Sequence, residues 1–223
     1  MAWDYKKYFK PGDSDVITAS PVCLFWSILR NSWIGRKCKK IHPTDVITAK
    51  HLQDDIDTFG KPMVDKIFEI IEYFQPKHWW IENPSTGKMK EYITDQPFYD
   101  VDYCMYSDYG YKKPTRFWTN IKGFNPKKCK MNCDNLIAVE KGGKVQHLHK
   151  ECLGSSAAVE VDGKIIRLNS KELREMYKDH PKVNLMTMGG KKCVGGGSNR
   201  LERYRIPDKL IEGFLACVDD DEE

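Results

Sequence analysis

The sequence predicts an α/β protein: a sheet covered by helices over residues 1–121, followed by a small basic insert rich in cysteine and histidine. Three observations carry this. Short apolar, β-branched runs alternate with an amphipathic helical segment as far as Ile121. Beyond it the composition turns to Lys, Cys, His and Gly. The 40% hydrophobic and 12% aromatic content is enough for a core and excludes wholesale disorder.

Asp15-Val16-Ile17-Thr18-Ala19-Ser20 is a β-branched run stopped by Pro21, a buried strand running into a loop. From Gly60, Met63, Ile67, Ile70, Ile71 and Phe74 fall at helical spacing with Lys and Glu between them, and Pro76 ends that helix. His78-Trp79-Trp80-Ile81-Glu82 reads as a strand interrupted by Asn83-Pro84, and the runs 101–106 and 115–120 read as two more. Strand, helix, strand order predicts a largely parallel sheet. Residues 122–199 form the insert and a Gly-rich loop over 186–199. Residues 200–217 hold a closing helix, with Pro207 in its first turn and Leu210, Ile211 and Phe214 on its apolar face. An acidic tail occupies 218–223.

The net charge of +4 is unevenly spread. From Lys112 to Lys150 ten Lys/Arg stand against Asp134 and Glu140, a local balance of +8. With Phe117, Trp118 and Phe124 among the lysines, this suits a nucleic-acid-facing surface; a solvated lysine-rich face is the bland alternative. No apolar run reaches the length of a membrane span, and the first residues carry no signal-peptide core. Eight cysteines are too sparse for a secreted disulfide scaffold of this length, and read as core thiols, a nucleophile or metal ligands.

In open α/β sheets, chemistry gathers at the carboxyl ends of strands. Here the first strand ends in Ser20-Pro21-Val22-Cys23, the second in Glu82-Asn83-Pro84, and another carries Arg116. Singly, the cysteine reads as a core thiol and the glutamate as a cap or salt-bridge partner. Together, a thiol, a carboxyl group and a guanidinium at adjacent strand ends suit covalent catalysis on a base.

These motifs resemble the DNA (cytosine-5)-methyltransferases, most closely the compact ones of phages and large DNA viruses. Ala19-Ser20-Pro21-Val22-Cys23 is similar to the family's Pro-Pro-Cys loop and Ile81-Glu82-Asn83-Pro84 to its Glu-Asn motif. Lys113-Pro114-Thr115-Arg116-Phe117-Trp118-Thr119-Asn120 resembles its arginine motif, and Arg205-Ile206-Pro207 with Leu210-Ile211 its closing helix. The resemblance implies an incomplete Rossmann-like methyltransferase sheet acting on double-stranded DNA, with S-adenosylmethionine as methyl donor. It gives Cys23 the attack on carbon 6 of a flipped-out cytosine and Glu82 the protonation of ring nitrogen 3. Asn83 would hold the loop, and Arg116 would bind the base carbonyl and lower the thiol pKa.

Two departures stand out. Val22 replaces the family's second proline, which loosens the loop backbone without removing the nucleophile. The family's Gly-rich cofactor loop and its acidic partners lie upstream of the cysteine loop, yet only 22 residues precede Cys23. The expectation is a catalytic half that neither binds S-adenosylmethionine tightly nor methylates DNA alone. Val16 to Ala19 would then be an apolar edge needing a cover, either a second copy or another polypeptide. The alternative is a degenerate methyltransferase fold kept as a structural or interaction protein, for example in a viral particle. A plain DNA-binding module is a third reading. The expected location is the cytoplasm or nucleus of the host, or the virion for the structural alternative, and not outside the cell.

A second constellation lies in the insert. Cys129-x3-Cys133 is followed by His147-x-His149-x2-Cys152, which supplies three thiolates and a choice of two imidazoles for a tetrahedral zinc site. Surface cysteines with solvated histidines are the alternative. In the family this region recognises the target, so Lys113, Lys127, Lys128 and Lys130 are expected to meet DNA phosphates.

Overall fold

The β-branched run after Ser14 forms strand β1 (Val16–Ala19). In this computed structural model, residues 4–38, 42–141, 144–149, 157–161, 164–168, 185–187 and 204–219 are described. Two compact units share the chain. One comprises Met1–Asp100, Thr115–Asn125 and Cys217–Glu223; the other comprises Val101–Pro114 and Pro126–Ala216.

In the first unit, β2 (Lys37–Cys38) and β3 (His42–Val46) form a small antiparallel pair. Helix α1 (Ala49–Asp55) starts at a reciprocal cap: Thr48 Oγ1 accepts the His51 N–H at 3.2 Å, and His51 Nδ1 accepts the Thr48 N–H at 3.2 Å. A π-helical turn (Ile56–Gly60) leads into α2 (Lys61–Phe74). Gly60 is needed there, because a Cβ would stand 3.0 Å from the Trp26 ring. Helix α2 ends at Gln75, whose φ of 48° is left-handed, just before Pro76. Strands β4 (His78–Pro84), β5 (Phe98–Asp102) and β6 (Pro114–Thr119), with the short α3 (Met89–Tyr92) between β4 and β5, complete a four-stranded sheet in the order β1-β4-β6-β5.

Strands β1 and β4 are parallel, with Ala19 opposite Ile81, whereas β4 and β6 are antiparallel, with Asn83 opposite Arg116. This corrects the largely parallel sheet that the element order predicts. A parallel return needs a covering crossover of a dozen or more residues, usually a helix. The chain between β4 and β6 offers the four-residue α3, strand β5 and a three-residue 3-10 turn, and, among these described residues, no helix long enough to cover the sheet.

The core of this unit is built on Trp26, Ile56, Val64, Trp79, Ile81, Met89, Ile93 and Trp118, against which Ile67, Phe68 and Ile71 of α2 pack. Burial on both faces explains why β4 reads as a continuous apolar run rather than an alternating one. Beside the core, buried Arg30 donates from Nη2 to Asp55, which His42 Nε2 also contacts at 3.0 Å.

The second unit holds a 3-10 turn (Tyr103–Met105) and a five-stranded sheet in the order β11-β9-β10-β7-β8. Its strands are β7 (Leu136–Lys141), β8 (Lys144–His149), β9 (Ala157–Val161), β10 (Lys164–Leu168) and β11 (Leu185–Thr187). The strand predicted over 101–106 therefore stops at Asp102, and the described residues of the insert include five strands that its composition did not announce. Strand β11 takes Met186 and Thr187 from the predicted Gly-rich loop; the rest of that loop lies outside the described residues. Helix α4 (Asp208–Asp219) follows Pro207 as its pattern predicts, with Leu210 and Phe214 buried. No helix among the described residues is long and apolar enough to cross a membrane.

Candidate functional site

Cys23 sits in the turn that follows β1 and is half-buried. Because β1 and β4 run parallel with Ala19 opposite Ile81, the loop leaving β1 and the end of β4 emerge side by side. One buried hydrogen bond fixes them: Asn83 Nδ2 donates to the Pro21 carbonyl at 3.0 Å. Asn83 is 1% exposed, and its Oδ1 is buried without a hydrogen-bond partner among the described residues. Glu82, one residue earlier, is buried as well. Gly87 closes the turn after β4, where a Cβ would press on the backbone oxygens of Pro84 and Trp26 at 3.2 Å.

Arg116 is brought to the same strand end by the β4–β6 ladder, but its guanidinium is already engaged. Nε and Nη2 donate to the two Asp100 carboxylate oxygens at 2.7 and 3.0 Å, and the group lies 3.5 Å from the centroid of the Phe98 ring. In the ladder Asn83 faces Arg116 and Glu82 faces Phe117. Alternation along a strand puts Asn83, not Glu82, on the face shared with Arg116. The structure thus joins the cysteine loop to the Glu-Asn strand end directly, and leaves Arg116 clamped beside them. Sequence reading missed Asp100; an acid on an edge strand becomes a partner only once the register is known.

The second unit gathers a different cluster. The ligand atoms of Cys104, Cys129, Cys133 and His149 all lie within 4.8 Å of one another, and all but Cys133 are buried. His149 Nε2 is 3.5 Å from Cys129 Sγ and 3.4 Å from Cys133 Sγ. Burial pushes the Cys104 thiol well above its ordinary value. Burial also works to raise Cys129, but backbone N–H groups of Asn132 and Met131 outweigh it and lower that thiol. Burial, then the Lys112 charge, holds the His149 imidazole below its ordinary value. The set is compatible with zinc and differs from the predicted one. His147 is exposed on β8, Cys152 lies outside the described residues, and Cys104 joins Cys129, Cys133 and His149 as a member that the spacing did not announce. Cys104 escaped notice because residues 101–106 read as a strand, whereas the chain turns at Tyr103 and aims Cys104 inward.

Of the lysines expected at phosphates, Lys127, Lys128 and Lys130 are exposed. Lys113 is instead 8% exposed, with its ammonium 4.5 Å from the centroid of the Tyr103 ring. Its stem is buried and its charge faces an aromatic surface, so it is not presented to solvent as the others are.

No protein-family model matches the chain. It is similar to the "Probable DNA (cytosine-5)-methyltransferase" of Frog virus 3 (isolate Goorha), with 47% identity over 150 residues, 66% of this chain. The match also spans 66% of that relative's own length. With a cysteine turn hydrogen-bonded to a Glu-Asn strand end and this degree of identity, the chain belongs to the DNA (cytosine-5)-methyltransferase family.

Proposed function

We propose that this chain activates cytosine for methylation at carbon 5 in double-stranded DNA, inside the host cell. The observation that carries the reading is the buried bond from Asn83 to Pro21, which couples the Glu82 strand end to the Cys23 turn. In this reading the Cys23 thiolate adds to carbon 6 of a flipped-out cytosine. Glu82 delivers a proton to ring nitrogen 3, so the electron pair displaced by the attack is accepted rather than left as an amide-like anion. Carbon 5 then has the character of an enamine carbon, ready for an electrophile. Asn83 keeps the loop and strand end in register. Arg116 still has three N–H bonds beyond the two that Asp100 takes, enough to reach the base carbonyl.

The family implies S-adenosylmethionine as methyl donor, but the described residues do not build a cradle for it. Gly60 and Gly87 are committed to close backbone packing, and Gly12, Gly35 and Gly123 have open space where a Cβ would be. No methyl-transfer step is therefore derived from these residues. Among the described residues β1 pairs only with β4 and is half-exposed, so its outer edge can accept further strands of the sheet. We assign the donor-binding strands to that edge, whether they belong to the same polypeptide, a second copy or another protein. Lys127, Lys128 and Lys130 are assigned to phosphates.

The test needs no methyl donor. Addition of Cys23 to carbon 6 lets carbon 5 take up a solvent proton, and reversal returns a cytosine that has exchanged its carbon-5 hydrogen. Duplex DNA tritiated at that position should release tritium with the native chain and not with Cys23→Ser. Equal release from the two proteins overturns the reading.

A further inference from the structure

We propose that Cys104, Cys129, Cys133 and His149 are the four ligands of a closed, structural zinc site within the second unit. Zinc–sulfur bonds of about 2.3 Å and zinc–nitrogen bonds of about 2.0–2.1 Å at tetrahedral angles put sulfur and nitrogen about 3.6 Å apart. His149 Nε2 stands 3.5 and 3.4 Å from the sulfurs of Cys129 and Cys133, two edges of that tetrahedron. With all four ligand atoms inside 4.8 Å, a metal can reach each of them with small side-chain adjustments. Three thiols and an imidazole form a soft donor set of the kind that selects zinc over calcium or magnesium.

The surroundings have the features that ligand sulfurs and their backbone require. Met131 adopts a left-handed φ of 60°, which bends the segment between Cys129 and Cys133 back on itself. The Met131 and Asn132 N–H groups then donate to the Cys129 sulfur, and the Asn135 N–H to the Cys133 sulfur. Asp102 Oδ2 accepts the Cys129 N–H at 2.8 Å. Asn135 Nδ2 donates to the carbonyls of Cys104 and Ser107 at 2.9 and 2.7 Å, holding the turn that presents Cys104. Three thiolates and one dication leave a charge of −1. Lys112 stands beside it, its Nζ 3.1 Å from the Cys129 carbonyl and 3.3 Å from Asp102.

The ligands come from three separated stretches: the turn after β5, the loop before β7, and the end of β8. A metal joining them closes loops that the lysine-rich sequence between 122 and 135 has little apolar surface to close. All four positions are filled by protein, and three of the ligands are buried, which leaves no open position for water or substrate. The inference does not depend on the methyltransferase reading, since no catalytic residue takes part.

The experiment measures metal in the full chain, purified under reducing conditions without chelator. About one zinc per chain is expected. Cys104→Ser and His149→Gln should lose most of it, while Cys152→Ser and His147→Gln keep it. Should Cys104→Ser fail to fold, cobalt substitution of the native chain decides. An intense thiolate-to-metal charge-transfer band with tetrahedral visible bands is expected. A zinc-free native chain, a weak octahedral cobalt spectrum, a Cys104–Cys129 or Cys129–Cys133 disulfide in the reduced preparation, or zinc kept by Cys104→Ser but lost by Cys152→Ser overturns the proposal.

Discussion

Asn83 and Pro21, 62 residues apart in sequence, are joined by a buried hydrogen bond of 3.0 Å that fixes the cysteine turn against the end of β4. Valine at position 22 offers no ring to fix the loop backbone, so this bond carries more of the positioning than it would beside a second proline. Removing the amide in Asn83→Ala leaves the Pro21 carbonyl buried and unpaired. The expected cost is about 1–3 kcal/mol of stability. Carbon-5 hydrogen release should fall further than thermal unfolding accounts for. A variant with native melting temperature and native release would show that the turn holds itself.

Cys23→Ser should fold as the native chain does, because the half-exposed thiol is not part of the buried core. Glu82→Gln keeps the shape of the side chain but removes its proton delivery. A positioned general acid is worth about 10²–10⁴ in rate, and the loss in hydrogen release should fall in that range. Circular dichroism and tritium release on the same preparations separate folding from chemistry. Release from Glu82→Gln at the native rate removes the acid role.

The Asp100 carboxylate grips Arg116 through two hydrogen bonds, and Phe98 stacks on the same guanidinium. Asp100→Asn should therefore reduce hydrogen release through Arg116 rather than through the thiol. Loss of geometry of about 1 Å costs on the order of a hundredfold, which sets the upper end of the effect. If Arg116 acts on the base, Arg116→Ala and the double variant should be equally impaired. Additive losses would make Asp100 an independent contributor.

Much of the first unit was legible because strong local patterns coincide with tertiary need. The β-branched run at Val16 to Ala19 and the 3.6-residue repeat from Met63 to Phe74 each leave one arrangement open. Strand direction was not legible, since β4 is buried on both faces and an apolar run looks alike to a parallel or antiparallel neighbour. The β7–β8 pairing was hidden by the Lys/Cys/His/Gly composition of the insert taken as a whole, although Leu136, Ala138 and Glu140 pair in order with His149, His147 and Val145. The Cys23 turn and the Glu82-Asn83 strand end were legible as neighbours at strand ends. The Asp100 clamp and the place of Cys104 were not, because both depend on where a neighbouring strand stops.

Duplex DNA should bind with a steep salt dependence if the exposed lysines meet phosphates. Lys127, Lys128 and Lys130 are all exposed on the loop before β7. Reversing all three charges should weaken binding on every sequence alike. For every phosphate that is no longer neutralised, the slope of log affinity against log salt should become shallower by about 0.9. Lys113→Ala should leave that slope unchanged, because its ammonium is buried against Tyr103. Fluorescence anisotropy across a salt series measures both, and a native slope in the triple variant would move the DNA surface elsewhere.

The last prediction concerns acid stability. Burial works to raise the Asp55 carboxyl, but hydrogen bonds from Arg30 and His42, and their charges, outweigh it and hold it below its ordinary value. A carboxyl group depressed in the folded state stabilises the fold above its unfolded pKa, near 3.9, and loses that contribution as pH falls from there through the folded value. His42 also stacks on His51, with ring centroids 4.8 Å apart, which holds the imidazole against Asp55. Asp55→Asn removes the acid-sensitive contribution and leaves Arg30 buried without its counter-charge, with Nε and Nη1 already lacking hydrogen-bond partners among the described residues. Breaking a buried pair from one side costs about 3–5 kcal/mol. The variant should thus melt well below the native chain at neutral pH, with the gap narrowing as pH falls below about 4, where the unfolded carboxyl and then the folded one take up a proton. A gap that stays constant from neutral to pH 3 would mean that the Asp55 charge contributes nothing to the fold.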